Sequence, residues 1–219
     1  SLVGESGCGK STVASLLSGR NKGYAGRITL GGVSAAELSE EELMRHVTVV
    51  RHNSYLFPGT VRDNLRPARP DAAEKEMEEA LKKVNLWGYL QGQGGLDAMV
   101  SENGDNLSGG QRQRLSMARA LLHDSEMYIF DEATSNIDAE SEELIMEVVH
   151  ELAKRKTVLL ISHRLLNVVS SDCIYMLQDG AVAESGTHKE LMAEKGAYYH
   201  LYESQRELEQ FGKGRVTVG

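Results

Sequence analysis

Near the start of the chain stands the run Gly4-Glu5-Ser6-Gly7-Cys8-Gly9-Lys10-Ser11, which fits the pattern G-x-x-x-x-G-K-[ST]. The apolar stub Ser1-Leu2-Val3 precedes it, and residues 10–18 have the apolar spacing of a helix. Glycines allow the backbone to curl so that successive amide N–H groups point at one place, and the helix N-terminus adds the positive end of its dipole. The run therefore predicts a phosphate-binding loop between a strand and a helix.

The rest of the chain alternates short apolar strands with amphipathic helices, which is typical of an α/β fold with a mainly parallel sheet flanked by helices. Strands are predicted at residues 27–30, 47–50, 127–130, 157–161, 173–177 and 181–184. Helices are predicted at residues 71–84 and 108–122, and three more should follow the N-caps Ser39, Asp138 and Thr187. Two helix faces are expected to point inward: Val13, Leu16 and Leu17 of the first helix, and Ala73, Met77, Ala80, Leu81 and Val84 of helix 71–84.

Composition excludes some classes of partner. The chain has 219 residues and a formal net charge of −8, and this acidic balance argues against nucleic acid, which needs a basic face. No apolar run approaches the roughly 18 residues of a membrane-spanning helix. The two cysteines, Cys8 and Cys173, are too few for a disulfide framework, which favours a reducing compartment. Composition thus favours a globular domain whose anion site is local.

The chemistry of the loop predicts ATP and Mg²⁺ as ligands. Lys10 is expected to reach the β- and γ-phosphates, and the Ser11 hydroxyl to ligate Mg²⁺. The strand at residues 127–130 ends in two adjacent carboxylates, Asp131 and Glu132, and the carboxyl end of a parallel strand faces the ligand crevice. Asp131 is expected to hold the magnesium shell, and Glu132 to orient or deprotonate the attacking water. These residues together predict hydrolysis of ATP.

A second glycine motif, Leu107-Ser108-Gly109-Gly110-Gln111, opens the helix predicted at residues 108–122. A serine cap and glycine amides at a helix N-terminus form a second anion site. One chain does not need two cradles for one γ-phosphate. The second motif therefore predicts that each cradle completes a site on a partner.

These motifs, in this order, resemble those of the ATP-binding cassette (ABC) ATPases. Residues 107–111 look like the signature motif of that family, Asp138 closes a stretch similar to the D-loop, and His163 matches the switch histidine. The resemblance implies a head-to-tail pair of domains, with ATP between Lys10 of one subunit and Ser108 of the other and with His163 at the γ-phosphate. The implied ATP contacts are Gly4, Glu5, Ser6, Gly7, Cys8, Gly9, Lys10, Ser11, Thr12, Leu107, Ser108, Gly109, Gly110, Gln111 and Asp138.

Two more segments resemble exporter-type members of that family. Residues 55–65 look like the segment after the Q-loop, and residues 99–104 look like the X-loop; in exporters both meet the coupling helices of the membrane domains. The resemblance implies a RecA-like P-loop NTPase domain at residues 1–205, with a helical subdomain inserted at about residues 60–123 and a frayed C-terminal tail at residues 206–219. It also implies a transport motor at the cytoplasmic face of the cell membrane. The implied partners are a second ABC ATPase domain, identical or different, and a transmembrane domain fused upstream.

The sequence departs from the family in two places. His52 stands where the family has the Q-loop glutamine, and it is expected to join Ser11 and Asp131 around Mg²⁺, with a charge that varies near neutral pH. Before the phosphate loop only Ser1-Leu2-Val3 is present, whereas family members carry an antiparallel β-subdomain with an aromatic residue that stacks on adenine. We therefore expect the chain to be a fragment from which most of that subdomain is missing.

Other interpretations remain open from the sequence. A soluble cassette ATPase of DNA repair would need a long coiled coil, and one of translation would need two cassettes with basic surfaces; neither pattern is present. A regulatory module without hydrolysis is favoured by His52 but opposed by Glu132 and His163. Tyr55-Leu56-Phe57 could be ordinary core instead of a docking surface.

Overall fold

The computed structural model describes the backbone of residues 1–214 and the side chains of residues 1–208. The strands in chain order are β1 (Leu2–Val3), β2 (Thr29–Leu30), β3 (Val33–Ser34), β4 (Val47–Arg51), β5 (Gly59–Thr60), β6 (Met99–Val100), β7 (Met127–Asp131), β8 (Thr157–Ile161), β9 (Ile174–Gln178) and β10 (Ala181–Gly186). The helices are α1 (Lys10–Leu17), α2 (Glu40–His46), α3 (Val61–Leu65), α4 (Glu74–Lys83), α5 (Trp87–Gln91), α6 (Gly109–His123), α7 (Ala139–Ala153), α8 (His188–Glu194) and α9 (Ala197–Gly214). Parallel pairing of β1, β4, β7, β8 and β9 confirms the α/β class.

One compact unit comprises residues 1–14 and 159–214. In it β1 lies between β8 and β9 and runs parallel to both, with Leu2 opposite Ile161 and Tyr175. β10 pairs antiparallel with β9. Because β1 and β8 are parallel neighbours, the loops that follow Val3 and Ile161 leave the sheet at the same edge.

The other compact unit comprises residues 15–158. Its longest strands, β4 and β7, pair in parallel, with Arg51 opposite Asp131 at their carboxyl ends. Tyr128, Ile129 and Phe130 of β7 are at most 1% exposed, which confirms that this strand is buried on both faces. Helices α3, α4, α5 and α6 fall within residues 60–123, and α6 packs on α4 and α7. The limits of a helical subdomain stay a prediction.

The structure corrects several sequence predictions. The helix predicted at residues 71–84 begins only at Glu74, because the Ala73 N–H donates to the Glu76 side chain as an N-cap, and Ala73 is exposed, not inward-facing. In α1 the buried positions are Lys10 and Ala14, whereas Val13, Leu16 and Leu17 are half-buried.

The strand predicted at residues 27–30 is shorter, and forms only the two-residue β2 of a hairpin with β3. At the other end of the chain, α9 continues through residues 206–214, for which a frayed tail was predicted. Residues 215–219 of that predicted tail lie outside the described part of the chain.

Candidate nucleotide-binding and hydrolysis site

The phosphate loop connects β1 to α1 and is shaped by three glycines. Gly4, Gly7 and Gly9 have φ angles of +145°, +84° and +109°, which glycine adopts without steric cost. A Cβ added at Gly4 would lie 2.3 Å from the carbonyl oxygen of Leu177 in β9, so the loop also passes too close to its neighbour for another residue. Because α1 begins at Lys10, its N-terminal amides face the loop. The predicted order of strand, loop and helix is confirmed.

Lys10 is only 4% exposed, and the loop itself surrounds its ammonium group. Nζ donates hydrogen bonds to the carbonyl oxygens of Gly4 and Glu5, both at 2.8 Å, and lies 3.6 Å from Cys8 Sγ. Carbonyl oxygens solvate the charge without neutralising it, so the ammonium keeps its attraction for an anion. Ser11 is exposed in the first turn of α1, where its hydroxyl can reach a ligand of the loop.

Asp131 lies at the carboxyl end of β7 and is 7% exposed. Its Oδ2 is 3.4 Å from Arg51 Nε of the neighbouring strand, without a hydrogen bond between them. Its Oδ1 is buried and has no hydrogen-bond partner among the described residues. A buried carboxylate oxygen without a partner costs free energy, so Oδ1 marks a place where a cation would be stabilised.

Glu132 follows in an unusual backbone conformation. Its φ is +54°, in the left-handed region that side chains other than glycine rarely adopt. The Ser135 N–H donates to the Glu132 carbonyl at 3.0 Å, so the chain turns tightly as it leaves β7. Asn136, three residues before the start of α7, also has a positive φ of +63°. Backbone strain of this kind concentrates at functional sites, which agrees with the catalytic assignment of Glu132 without testing it.

The second glycine motif begins α6 with a complete capping box. Gln111 N donates to Ser108 Oγ at 3.2 Å, and Ser108 N donates to Gln111 Oε1 at 2.9 Å. Gly109 and Gly110 have ordinary helical conformations, and their N–H groups are among the first four of the helix, which have no intrahelical acceptor. Ser108 is exposed and Leu107 is buried, so the motif is anchored on one side and open on the other.

Gly110 is required by packing rather than by its backbone angles. A Cβ at this position would lie 2.0 Å from Ser141 Oγ and 3.0 Å from Asp138 Oδ2. Asp138 is the N-cap of α7 and its Oδ1 accepts from Ser141 N at 2.8 Å. That hydrogen bond holds the pKa of the Asp138 carboxyl below its ordinary value. The N-termini of α6 and α7 therefore meet at Gly110, which places the signature motif beside Asp138.

The predicted Q-loop position opens onto a cavity of about 370 Å³ in the same unit. His52, Gly109 and Asn136 all line it, so residues from the Q-loop, signature and D-loop positions share one space. Gln113 of α6 also lines it, and Gln113 Nε2 donates to the carbonyl oxygen of Arg51 at 3.1 Å. Gln113 is buried and ties the signature helix to the residue before His52.

His163 follows β8 and is exposed, in the unit that contains the phosphate loop. Ser162 Oγ both donates to the Arg164 carbonyl at 3.1 Å and accepts from Arg164 N at 3.0 Å, so the loop is locally tight. The structure brings His163 and the phosphate loop to one sheet edge. In the other unit His52 and Gly109 line one cavity, and Asp131 lies opposite Arg51, the residue before His52.

Residues that the sequence analysis missed support this arrangement. The predicted strand ended at residue 50, so Arg51 was not assigned to it, and Gln113 and Gln205 were not singled out. The parallel register of β4 and β7 could have placed Arg51 beside Asp131. Nothing in the sequence indicates that Gln113 reaches the Arg51 carbonyl, because that contact depends on how α6 packs on β4.

The segment after His52 has an exposed apolar surface. Tyr55 and Phe57 are 49% and 43% exposed and contact each other edge to face, while Leu56 between them is fully buried. Met99 is 67% exposed, on the strand β6 that pairs with β5. A Cβ at Gly104 would lie 2.8 Å from the Leu56 side chain, so the two segments approach each other closely at these two residues.

A family model described as "ABC transporter" matches residues 1–135. The chain belongs to the ABC transporter family. A Haemophilus influenzae protein described as an uncharacterized ABC transporter ATP-binding protein is 49% identical over 95% of this chain and 37% of its own length. An ATP-dependent lipid A-core flippase of Francisella tularensis is 41% identical over 93% of this chain and 34% of its own length.

A solved structure, a bacterial Atm1-family ABC exporter with ATP bound, matches this ABC ATP-binding domain with a TM-score of 0.88. It is 33% identical, and the match covers 94% of this chain and 36% of that one. The match confirms the P-loop NTPase fold with its mainly parallel sheet. The chain spans little more than a third of the length of each relative named here. Within residues 1–214 no helix has the length and apolar character needed to cross a bilayer.

Proposed function

We propose that this ABC domain binds and hydrolyses ATP and uses that energy to drive export through a membrane domain. The observation that carries the proposal is the phosphate loop, in which three glycines with positive φ surround a buried lysine at the start of α1. Loop amides, the Lys10 ammonium and the helix N-terminus then converge on the β- and γ-phosphates and offset their negative charge. The remaining P-loop residues, Glu5 to Cys8 and Thr12, are proposed to contribute backbone and side-chain contacts.

Magnesium fits the residues present. Among the described residues no group of three or more His, Cys, Asp or Glu side chains could hold a metal ion. We propose that oxygens of the nucleotide phosphates share the metal with the protein. We assign Asp131, whose buried Oδ1 has no hydrogen-bond partner, and the exposed Ser11 hydroxyl to the metal shell. Bound Mg²⁺ would neutralise charge that develops on the phosphates. His52 stays a predicted third contributor, although Mg²⁺ prefers oxygen to imidazole nitrogen.

Glu132 is proposed to orient or deprotonate the water that attacks the γ-phosphate, and His163 to contact that phosphate. Changing Glu132→Gln in the intact protein should lower kcat by about 10²- to 10⁴-fold, as expected when a general base is lost, while ATP binding is retained. Glu147→Gln, an exposed change on α7, is the matched control. Phosphate release and binding of a fluorescent ATP analogue measure the two effects. Unchanged hydrolysis in Glu132→Gln would remove this assignment.

The signature motif is proposed to complete the ATP site of a second ABC ATPase domain, identical or different. Ser108 is exposed, and the amides of Gly109 and Gly110 lie at a helix N-terminus, which suits contact with the γ-phosphate of a partner. The Glu132→Gln variant is expected to bind ATP but to hydrolyse it slowly. ATP should therefore promote the formation of dimers by this variant. Light scattering measures the molar mass with and without ATP. The same molar mass in both conditions would contradict the proposed dimer.

The proposed membrane partner docks on Tyr55, Phe57 and Met99, which would place this domain at the cytoplasmic face of the cell membrane. All three side chains are exposed, and aromatic residues and methionine are enriched at protein interfaces. A photoreactive residue at position 57 of the intact protein should crosslink to the part of the membrane domain that lies outside the bilayer. Crosslinks only to non-membrane proteins would favour the alternative, an ABC ATPase that is not coupled to transport.

A further inference from the structure

The amide nitrogen and the amide oxygen of Gln205 both form hydrogen bonds with the backbone around His163. Gln205 Nε2 donates to the carbonyl oxygen of His163 at 2.5 Å, and Gln205 Oε1 accepts from Leu165 N at 3.0 Å. Leu165 begins a short 3₁₀ turn, so its N–H has no acceptor inside that turn. The reverse orientation of the amide would place an NH₂ group against an N–H and an oxygen against a carbonyl, so only one orientation fits.

A bidentate contact of this kind fixes orientation as well as distance. One hydrogen bond would leave the loop free to pivot about it, whereas two bonds to residues on either side of Arg164 restrict rotation of the segment. The internal Ser162–Arg164 hydrogen bonds make the segment itself stiff. Gln205 therefore anchors the backbone from which the His163 side chain projects.

Gln205 belongs to α9, and the start of that helix is firmly attached within the same unit. The Glu184 carboxylate of β10 accepts hydrogen bonds from the N–H groups of Ala197 and Tyr198, the latter at 3.0 Å. A Cβ at Gly196 would lie 2.1 Å from Glu184 Oε1, so the approach leaves no room for a side chain. Tyr198 is fully buried and its hydroxyl is 2.8 Å from His188 Nδ1. These contacts place α9 on β10 and α8 at a fixed point.

We infer that Gln205 is a positioning residue for His163, so that α9 holds the histidine where it meets the γ-phosphate. The inference rests on the proposed role of His163 in hydrolysis. It assigns to the C-terminal helix a role in catalysis that none of the sequence motifs indicates. In this role Gln205 acts through the backbone of residues 163 and 165.

The test compares Gln205→Met, Gln205→Glu and the control Arg206→Met in the intact protein. Methionine keeps the volume and removes both hydrogen bonds, whereas Arg206 is the exposed next residue and pairs only with Glu203 among the described side chains. Gln205→Met should lower kcat roughly 10- to 100-fold, as expected for a catalytic group displaced by about 1 Å, with KM for ATP changed less than about twofold. Arg206→Met should leave both constants unchanged.

Gln205→Glu separates the effects of the two hydrogen bonds. Its carboxylate can still accept from Leu165 N but repels the His163 carbonyl, so kcat should fall. When the carboxyl is protonated at lower pH it can donate to that carbonyl, so the deficit relative to the unaltered protein should narrow as pH falls. A deficit that is the same at every pH would contradict a hydrogen bond to His163.

His163→Ala and the double variant His163→Ala/Gln205→Met separate this inference from the proposed function. If Gln205 acts only through His163, the double variant should be no slower than His163→Ala alone. Wild-type kcat in Gln205→Met beside an inactive His163→Ala would overturn the inference and leave the proposed function standing, as would losses that multiply in the double variant. Wild-type hydrolysis in His163→Ala would overturn the role of His163 and the inference with it.

Discussion

The two glycine-rich helix N-termini of this domain look alike in sequence but are built differently. At the phosphate loop the glycines have positive φ angles and curl the backbone around buried Lys10. At the signature motif Gly109 and Gly110 are already helical, and Ser108 caps the helix in the open. The first site is a closed cradle, whereas the second is a normally capped helix end that needs a glycine only to pack on Ser141. The difference teaches that similar glycine motifs can give a loop closed around a lysine in one place and an exposed helix end in another, which agrees with the different roles proposed for them.

The largest expected effect tests the closed cradle. Lys10→Ala removes the ammonium that Gly4 and Glu5 hold in place, and should lower kcat by about 10²- to 10³-fold with a large loss of ATP affinity. The exposed Lys22→Ala is the control for loss of a positive charge. Phosphate release and nucleotide binding measure both. Comparable activity in the two variants would show that the loop does not bind phosphate through its lysine.

The next test uses the different reasons for glycine at the two sites. Gly4→Ala meets a backbone carbonyl and a forbidden φ, and should destabilise by about 1–3 kcal/mol without any side-chain change that restores it. Gly110→Ala meets the Ser141 side chain and should cost a similar amount, about 1–3 kcal/mol, by overpacking. Ser141→Gly should restore part of the stability of Gly110→Ala, as measured by denaturant unfolding. If Ser141→Gly restored no stability to Gly110→Ala, the two glycines would not be required for different reasons.

A smaller effect tests the open helix end. Ser108→Ala and Thr187→Ala each remove the serine or threonine of a capping box, so each should lose about 1 kcal/mol of stability. Only Ser108→Ala should also lower ATPase activity, because Ser108 is proposed to face the partner's nucleotide. Thermal melts and kcat separate the two effects. If both variants lose activity in proportion to stability, the cap is structural alone.

The smallest effect concerns the carboxylate beside Gly110. The hydrogen bond from Ser141 N lowers the pKa of Asp138, so its contribution to stability is present above the ordinary carboxyl pKa and is lost as pH falls through the lowered one. The Asp138 pKa measured by NMR should therefore lie below the ordinary value of an aspartate carboxyl, and the melting temperature of Asp138→Asn should depend less on pH in the acid range. A measured pKa at or above that value would contradict the cap.

Sequence motifs predicted the local backbone structure of the candidate site because the phosphate loop and the helix caps are formed by residues close together in the chain. Gly4 to Ser11 encodes its own turn, and Ser39, Ser108, Asp138 and Thr187 each begin the helix expected of them. The predictions of the inward face of α1 and of the first residue of α4 were wrong. Packing against the rest of the domain decides which residues of α1 are buried, and the N-cap at Ala73 decides where α4 begins. The exposure of Tyr55 and Phe57 on either side of buried Leu56 could not be predicted from three adjacent apolar residues.

By itself the sequence determined the α/β class and the ABC family, because both follow from spacing within short segments. Which residues face the nucleotide stays a prediction from the same motifs. Only the tertiary structure decided that Gly110 is fixed by Ser141, that Arg51 lies beside Asp131, and that Gln205 holds the backbone around His163. Each of these contacts joins residues far apart in the chain. The register of strands and the packing of helices set such distances, and no local pattern of residues encodes them.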